Sequence, residues 1–279
     1  MKNNFIQRTI TGIIFVAVLV GGILGGAVPF TLLFALISAL TIWEFGNVVN
    51  RSGEIQTNKP ICTLAGVFLF FGFAYLGVVP GQPSVLIPYL FLIIYLLVSE
   101  LYLKRKNPLH NWAYTMMSQM YVALPFALLN VLAFHTNVTG SMSEYNPILP
   151  LSIFIFNWTN DSGAYCTGVL FGKHRLFERI SPKKSWEGSI GGAVFSMAAA
   201  FVMAHFFPFM STAVWMGLGL TVVVFGTWGD LTESLLKRTL GIKDSGNILP
   251  GHGGMLDRFD STLIAVPASV VYLYIVSLI

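Results

Sequence analysis

The sequence predicts an all-α protein, a polytopic transmembrane helix bundle of about nine spans. Three observations lead there. Of 279 residues, 55% are hydrophobic and only 10% are charged, with a mean hydropathy of +0.72. The apolar residues fall in continuous runs of about 20, the length a helix needs to cross the hydrocarbon core. All sixteen Lys and Arg fall in alternate loops between those runs. A soluble domain carries about 25% charged residues, so a water-soluble globular enzyme is excluded. Disorder is excluded by the 14% aromatic content. A β-barrel is excluded because the runs do not alternate with period two.

The first apolar run, 10–28, follows Lys2 and Arg8. It is too long for a signal-peptide core and has no small-x-small cleavage site, so it is read as a retained helix. The runs 30–49, 61–79, 85–103 and 113–134 contain few ionisable groups and read as scaffold, lipid pocket or dimer surface. Glu44 and Glu100 lie near the ends of their runs and are read as interfacial carboxylates reaching water. Four further runs follow at 149–171, 188–208, 213–232 and 260–279. Cys62 and Cys166 sit near or within apolar segments and are expected to be buried free thiols, not a disulfide.

Loops on one side hold Lys2 and Arg8; Arg51 and Lys59; Lys104, Arg105 and Lys106; Lys173, Arg175, Arg179, Lys183 and Lys184; and Lys237, Arg238, Lys243 and Arg258. The positive-inside rule places these loops and the N-terminus in the cytoplasm, and nine spans then place the C-terminus outside. The chain divides into an N-terminal scaffold, 1–145, and a C-terminal catalytic region, 146–279, with two long cytoplasmic loops. No internal repeat is present, which removes support for an inverted-repeat transporter.

Three places break the apolar pattern. In the sixth run, Asn157, Asn160, Asp161 and Gly168 share one helical face. An acid inside a span costs about 2.5–3.5 kcal/mol or more unless it faces a polar interior, so Asp161 is a functional candidate. Tyr165 shares the face and reads as packing. The second place is GKHRLFERISPKKSWEG, Gly172–Gly188. Ser181 and Pro182 look like a helix N-cap and first turn. Hydroxyls interleave with lysines at Ser181, Lys183, Lys184 and Ser185, a pattern suited to phosphate, whereas His174 receives no role. Ordinary positive-inside charge attracted to anionic lipid is the competing reading of this loop.

The third place begins at Gly229: GDLTESLLKRTLGIKDSGNILPGHGGMLDRFDS. Asp230, Ser234 and Lys237 share a helical face, and Asp257, Asp260 and Ser261 form a second set. The glycines between them allow backbone N–H groups to approach an anion. Carboxylates at the cytoplasmic ends of two spans would suit Mg²⁺, which takes one or two carboxylates plus phosphate and water. Lys237, Arg238, Lys243 and Arg258 would balance a nucleotide polyphosphate. His252 is expected to shape the glycine loop.

At these residues the chain resembles the integral-membrane phosphatidate cytidylyltransferases (CDP-diglyceride synthases). The resemblance rests on Ser234, Lys237, Arg238, Lys243, Asp244, Gly246, Leu249, Pro250, His252, Gly253, Gly254, Met255, Asp257, Arg258, Phe259 and Asp260. Upstream, Asp161 with Gly163, Ala164 and Tyr165, and the run Ser181–Gly188, are also similar to the family. The N-terminal runs match only in character.

The resemblance implies a cell (inner) membrane enzyme that makes CDP-diacylglycerol and pyrophosphate from CTP and phosphatidic acid. Its active site would face the cytoplasm. Mg²⁺, a second monovalent cation (K⁺) and a homodimer are implied with it. No nucleic-acid partner is expected. Asp230 and Asp257 become the main Mg²⁺ ligands, with Asp161 and Asp260 supporting a second cation. Lys237, Arg238, Lys243 and Arg258 become ligands of the CTP phosphates and pyrophosphate. Ser181, Lys183 and Lys184 become candidates for the lipid phosphate or the CTP tail, and Ser234, His252, Gly253 and Gly254 for loop or phosphate hydrogen bonds. The rivals are an enzyme using CTP on another membrane lipid and a cation-coupled transporter working through Asp161.

Overall fold

The computed structural model describes residues 2–51, 53–136, 143–249, 251 and 253–278. The helices are α1 (Lys2–Leu24), α2 (Ala27–Asn50), α3 (Lys59–Val78), α4 (Ile87–Leu103), α5 (Pro108–Met117), α6 (Leu124–Ala133), α7 (Ile148–Phe171), α8 (Trp186–Phe206), α9 (Thr212–Thr239) and α10 (Leu256–Leu278). Two short antiparallel hairpins join them: β1 (Phe134–Thr136) with β2 (Ser143–Tyr145), and β3 (Arg175–Phe177) with β4 (Ser181–Ser185).

Among the described residues, seven helical stretches are long and apolar enough to cross a membrane. These are α2, α3, Pro83–Leu103, Pro108–Ala133, α8, α9 and the Leu256–Ser277 stretch. Two of the nine expected spans fall short by that measure. The apolar part of α1 is only Thr9–Leu24, and α7 carries Asn157, Asn160 and Asp161 at its middle, which lowers its hydropathy. The protein is therefore an all-α, multi-pass membrane bundle whose count of nine remains an expectation. Large apolar side chains cover its outer faces, among them Val28, Leu101, Ile190, Val194 and Phe201, as lipid contact requires.

The chain forms two compact units, one of residues Met1–Pro147 with Leu240–Phe259, the other of Ile148–Thr239 with Asp260–Ile279. In the first, Phe30, Phe34, Phe45, Phe70, Phe126 and Phe259 are fully buried. The rings of Phe126 and Phe259 meet edge to face with centroids 5.3 Å apart, a favoured aromatic geometry. The run from α5 to α6 passes through a π-helical turn, Ser118–Ala123, just before Pro125. Proline has no N–H for the regular ladder, so a wider turn is accommodated there. In the second unit, Trp215 and Phe156 are buried edge to face at 6.4 Å, and Trp215 Nε1 donates to the Phe207 carbonyl at 3.0 Å.

Three sequence expectations change here. Ser181 and Pro182 do not start a helix: Ser181–Ser185 is the strand β4. Ser185 is the N-cap, and its hydroxyl accepts from Gly188 N at 3.1 Å. Pairing with Arg175–Phe177 holds the segment extended, so the cap moves to the next available hydroxyl. Cys166 is exposed, whereas Cys62 is buried, because an apolar segment in a membrane protein can turn one face outward to lipid. Glu100 does not reach water. It is buried, receives Arg105 at 2.8 Å and accepts from Asn111 Nδ2 at 2.9 Å.

Candidate active site

In the second unit, α7 carries Asp161 to the mouth of a cavity of about 220 Å³. Asn160, Tyr165, Lys183, Lys184 and Thr227 also line it. Tyr165 is therefore exposed to this cavity and is not core packing. The β3–β4 hairpin brings the two lysines there. Glu187, in the first turn of α8, anchors that hairpin: it accepts from the backbone N–H groups of Lys173 and His174 at 3.1 and 3.2 Å and lies 2.6 Å from His174 Nδ1. Ser181, at the start of β4, does not line this cavity.

The helix α9 extends to Thr239, which gives about 42 Å at 1.5 Å per residue against a hydrocarbon core of about 30 Å. Its last turns carry the polar groups. Asp230 forms an ion pair with Lys184 Nζ, and Ser234 Oγ donates to Asp230 Oδ1 at 3.2 Å. Lys237 forms an ion pair with Glu233, which is fully buried. Glu233, one helical turn before Lys237, fixes the position of that charge. Asp260 lies within electrostatic range of Asp230, Asp161 and Lys237. Gly229 makes this approach possible, since a Cβ there would stand 2.5 Å from the Asp260 carbonyl oxygen. The unit thus gathers Asp161, Asp230 and Asp260 with Lys184 and Lys237. Arg238 stands exposed near the end of α9.

In the first unit, residues 240–256 fold back as the glycine loop. Leu249 and Gly253 pair across it, with Leu249 N donating to Gly253 O at 3.0 Å. Gly253 has φ +81°, a conformation that other residues rarely adopt. Asp257 Oδ2 accepts from Ser245 N at 3.0 Å and Gly254 N at 2.8 Å, and lies 2.9 Å from Ser245 Oγ. Lys243 and Arg258 are exposed. Pro250 and His252 lie outside the described residues, so the expectation for His252 has no structural counterpart here.

Sequence reasoning missed Glu44. It was read as reaching water, but it is 3% exposed, beneath the glycine loop. It accepts from Ser245 Oγ, from Met255 N at 2.8 Å and from Leu256 N at 3.2 Å. The signal was available, because the intramembrane-acid rule applied to Asp161 applies equally to a carboxylate inside the α2 run.

The oxygen-rich donor set suits a hard divalent ion such as Mg²⁺. Asp260 feels the charges of both Asp230 and Asp161, and Lys184 and Lys237 supply part of the compensating positive charge. Among the described residues no three acidic, His or Cys groups make a cluster able to hold a metal ion by themselves. Mg²⁺ does not require one, because it keeps water and substrate phosphates among its ligands.

The sequence profile described as "Cytidylyltransferase family" matches residues 6–276. The chain is 49% identical over 119 residues to the phosphatidate cytidylyltransferase of Staphylococcus aureus strain COL, covering 42% of this chain and 45% of that protein. The same identity, length and coverage are found against the phosphatidate cytidylyltransferase of Staphylococcus saprophyticus. That of Haemophilus influenzae is 45% identical over 128 residues, covering 43% of each chain. The chain thus spans less than half the length of these curated relatives.

Proposed function

Because the chain belongs to the cytidylyltransferase family, we propose that it transfers the cytidylyl group of CTP to phosphatidic acid, giving CDP-diacylglycerol and pyrophosphate. The observation that carries this reading is the cluster of Asp161, Asp230, Asp260 and Lys237 on apolar helices with Lys184 of the β3–β4 hairpin. A water-soluble nucleotide and a lipid phosphate need such a place, polar and cationic enough for phosphates yet set in membrane helices.

An oxygen of the lipid phosphate attacks the α-phosphorus of CTP. The bond from that phosphorus to the bridging oxygen breaks, and pyrophosphate leaves with the electron pair. The attacking phosphate is already anionic, so no general base is needed. In-line positioning and charge neutralisation do the work. Lys183 and Lys184 hold the lipid phosphate or the CTP tail at the cavity mouth. Ser181, just before them on β4, is kept as a hydroxyl donor to the same phosphate. Lys237, Arg238, Lys243 and Arg258 neutralise the triphosphate and the departing pyrophosphate. Gly253 presents its backbone N–H group, Gly254 spends its own on Asp257 instead of on the phosphate, and Ser234 orients Asp230.

Mg²⁺, when bound, supplies a Lewis acid that neutralises charge on the reacting phosphates. Asp230 and Asp257 would hold it, and Asp161 and Asp260 would hold a second, monovalent cation such as K⁺. The positive-inside distribution supports a site facing the cytoplasm of the inner membrane, and the protein acts as a homodimer in this reading.

The test is CDP-diacylglycerol formation by purified protein in detergent, with phosphatidate and each nucleoside triphosphate. Product is expected with CTP, lost on EDTA treatment and restored by Mg²⁺. Absence of lipid product with CTP and Mg²⁺ overturns the reading. Replacing both Lys183 and Lys184 by Ala is expected to raise an apparent KM, for CTP or phosphatidate, at least about tenfold, since each charge-assisted hydrogen bond contributes about 1.5–3 kcal/mol. Unchanged KM values would reduce the hairpin to ordinary membrane-surface charge.

A further inference from the structure

We propose that Glu44 is a positioning residue for the reaction, setting the carboxylate of Asp257 from a helix more than two hundred residues earlier in the chain. The inference rests on the functional reading above and names the residue that holds its metal ligand in place.

A carboxylate is costly to bury, and the cost falls only when its oxygens receive hydrogen bonds. Glu44 receives three, and all come from the segment that presents Asp257. Two are the backbone N–H groups of Met255 and Leu256, at the start of α10. N–H groups at a helix start have no partner within the helix, so Glu44 caps α10 from a distance. The third is the hydroxyl of Ser245. That same hydroxyl lies 2.9 Å from Asp257 Oδ2, and Ser245 N and Gly254 N donate to the same Asp257 oxygen. Glu44 therefore grips both ends of the cradle that fixes Asp257.

The fit around Glu44 is close. A Cβ on Gly246 would stand 2.7 Å from Glu44 Oε2, and one on Gly254 would overlap the Glu44 carboxylate. The glycines thus have a second use besides anion approach: they let the loop lie directly on this acid. A helix that needed only to fill space beneath a loop would use an apolar side chain. A buried carboxylate matching three donors specifies one loop position, and outer partners of ligating carboxylates typically change metal affinity or activity by about 10–100-fold.

The test compares wild type with Glu44→Gln and Ser245→Ala in purified full-length protein, with Mn²⁺ as the probe. Glu44→Gln keeps the volume but turns an amide NH₂ toward backbone donors. Ser245→Ala removes only the shared hydroxyl and retains a chain able to fold if Glu44→Gln does not. Mn²⁺ affinity by electron paramagnetic resonance is expected to weaken about tenfold or more in each variant. kcat should fall while the KM for phosphatidate stays unchanged. Wild-type Mn²⁺ affinity in Glu44→Gln, or in Ser245→Ala should the first fail to fold, overturns the proposal. Failure of the functional reading looks different: wild type would bind Mn²⁺ and form no lipid product from CTP.

Discussion

Asp257→Asn is expected to lower CDP-diacylglycerol formation by about 10³-fold while the protein still folds. The size of the effect follows from the charge removed. In the proposed reaction Asp257 acts through the cation it holds, and the loss of such electrostatic stabilisation costs about 10²–10³ in rate. The folding expectation follows from the contacts. Asp257 Oδ2 takes the backbone N–H groups of Ser245 and Gly254, and the amide oxygen of Asn can keep both. The substitution therefore isolates charge from geometry. A radiolabelled CTP assay beside a thermal melt checks both halves. Activity within twofold of wild type would remove Asp257 from the metal site.

Gly229→Ala should have the second largest effect, and for a different reason. The added Cβ would stand 2.5 Å from the Asp260 carbonyl oxygen and 3.0 Å from both Cα and the carbonyl oxygen of Ser261. These are backbone atoms inside a helix, so no side chain can swing away. The helices α9 and α10 must part where Asp230 and Asp260 face each other. Overpacking of this kind costs about 1–3 kcal/mol. Displacement of a reacting group by about 1 Å can cost about 10²-fold in rate. The expected result is a lower melting temperature with activity reduced about a hundredfold. An Ala variant as active and as stable as wild type would show that the two aspartates need no such closeness.

Much of this site was legible in advance because membrane chemistry makes polar residues conspicuous. Asp161, Asp230 and Asp260 stood out against apolar runs, and the structure gathers them with Lys184 and Lys237. Helical spacing correctly paired Asp230 with Ser234, whose hydroxyl donates to it. What failed was inference about partners. Ser181 looked like a helix cap because serine before proline is a good local start, but pairing with β3 overrode the local preference. Glu44 and Glu100 looked interfacial because both lie near helix ends. Their surroundings depend on Ser245 and Met255 in one case and on Arg105 and Asn111 in the other.

The sequence by itself determined that this is a multi-pass helical membrane protein and the family to which it belongs, and it marked the candidates for its chemistry. These follow from local properties: the length of an apolar run, the side of a charge, the order of a motif. Only the tertiary structure decided that the Asp230 charge meets Lys184 and that Glu44 underlies the loop presenting Asp257. The reason is physical. Hydrophobicity is summed along a segment and can be read there, whereas an ion pair or a hydrogen bond exists only when folding brings two groups within about 3 Å.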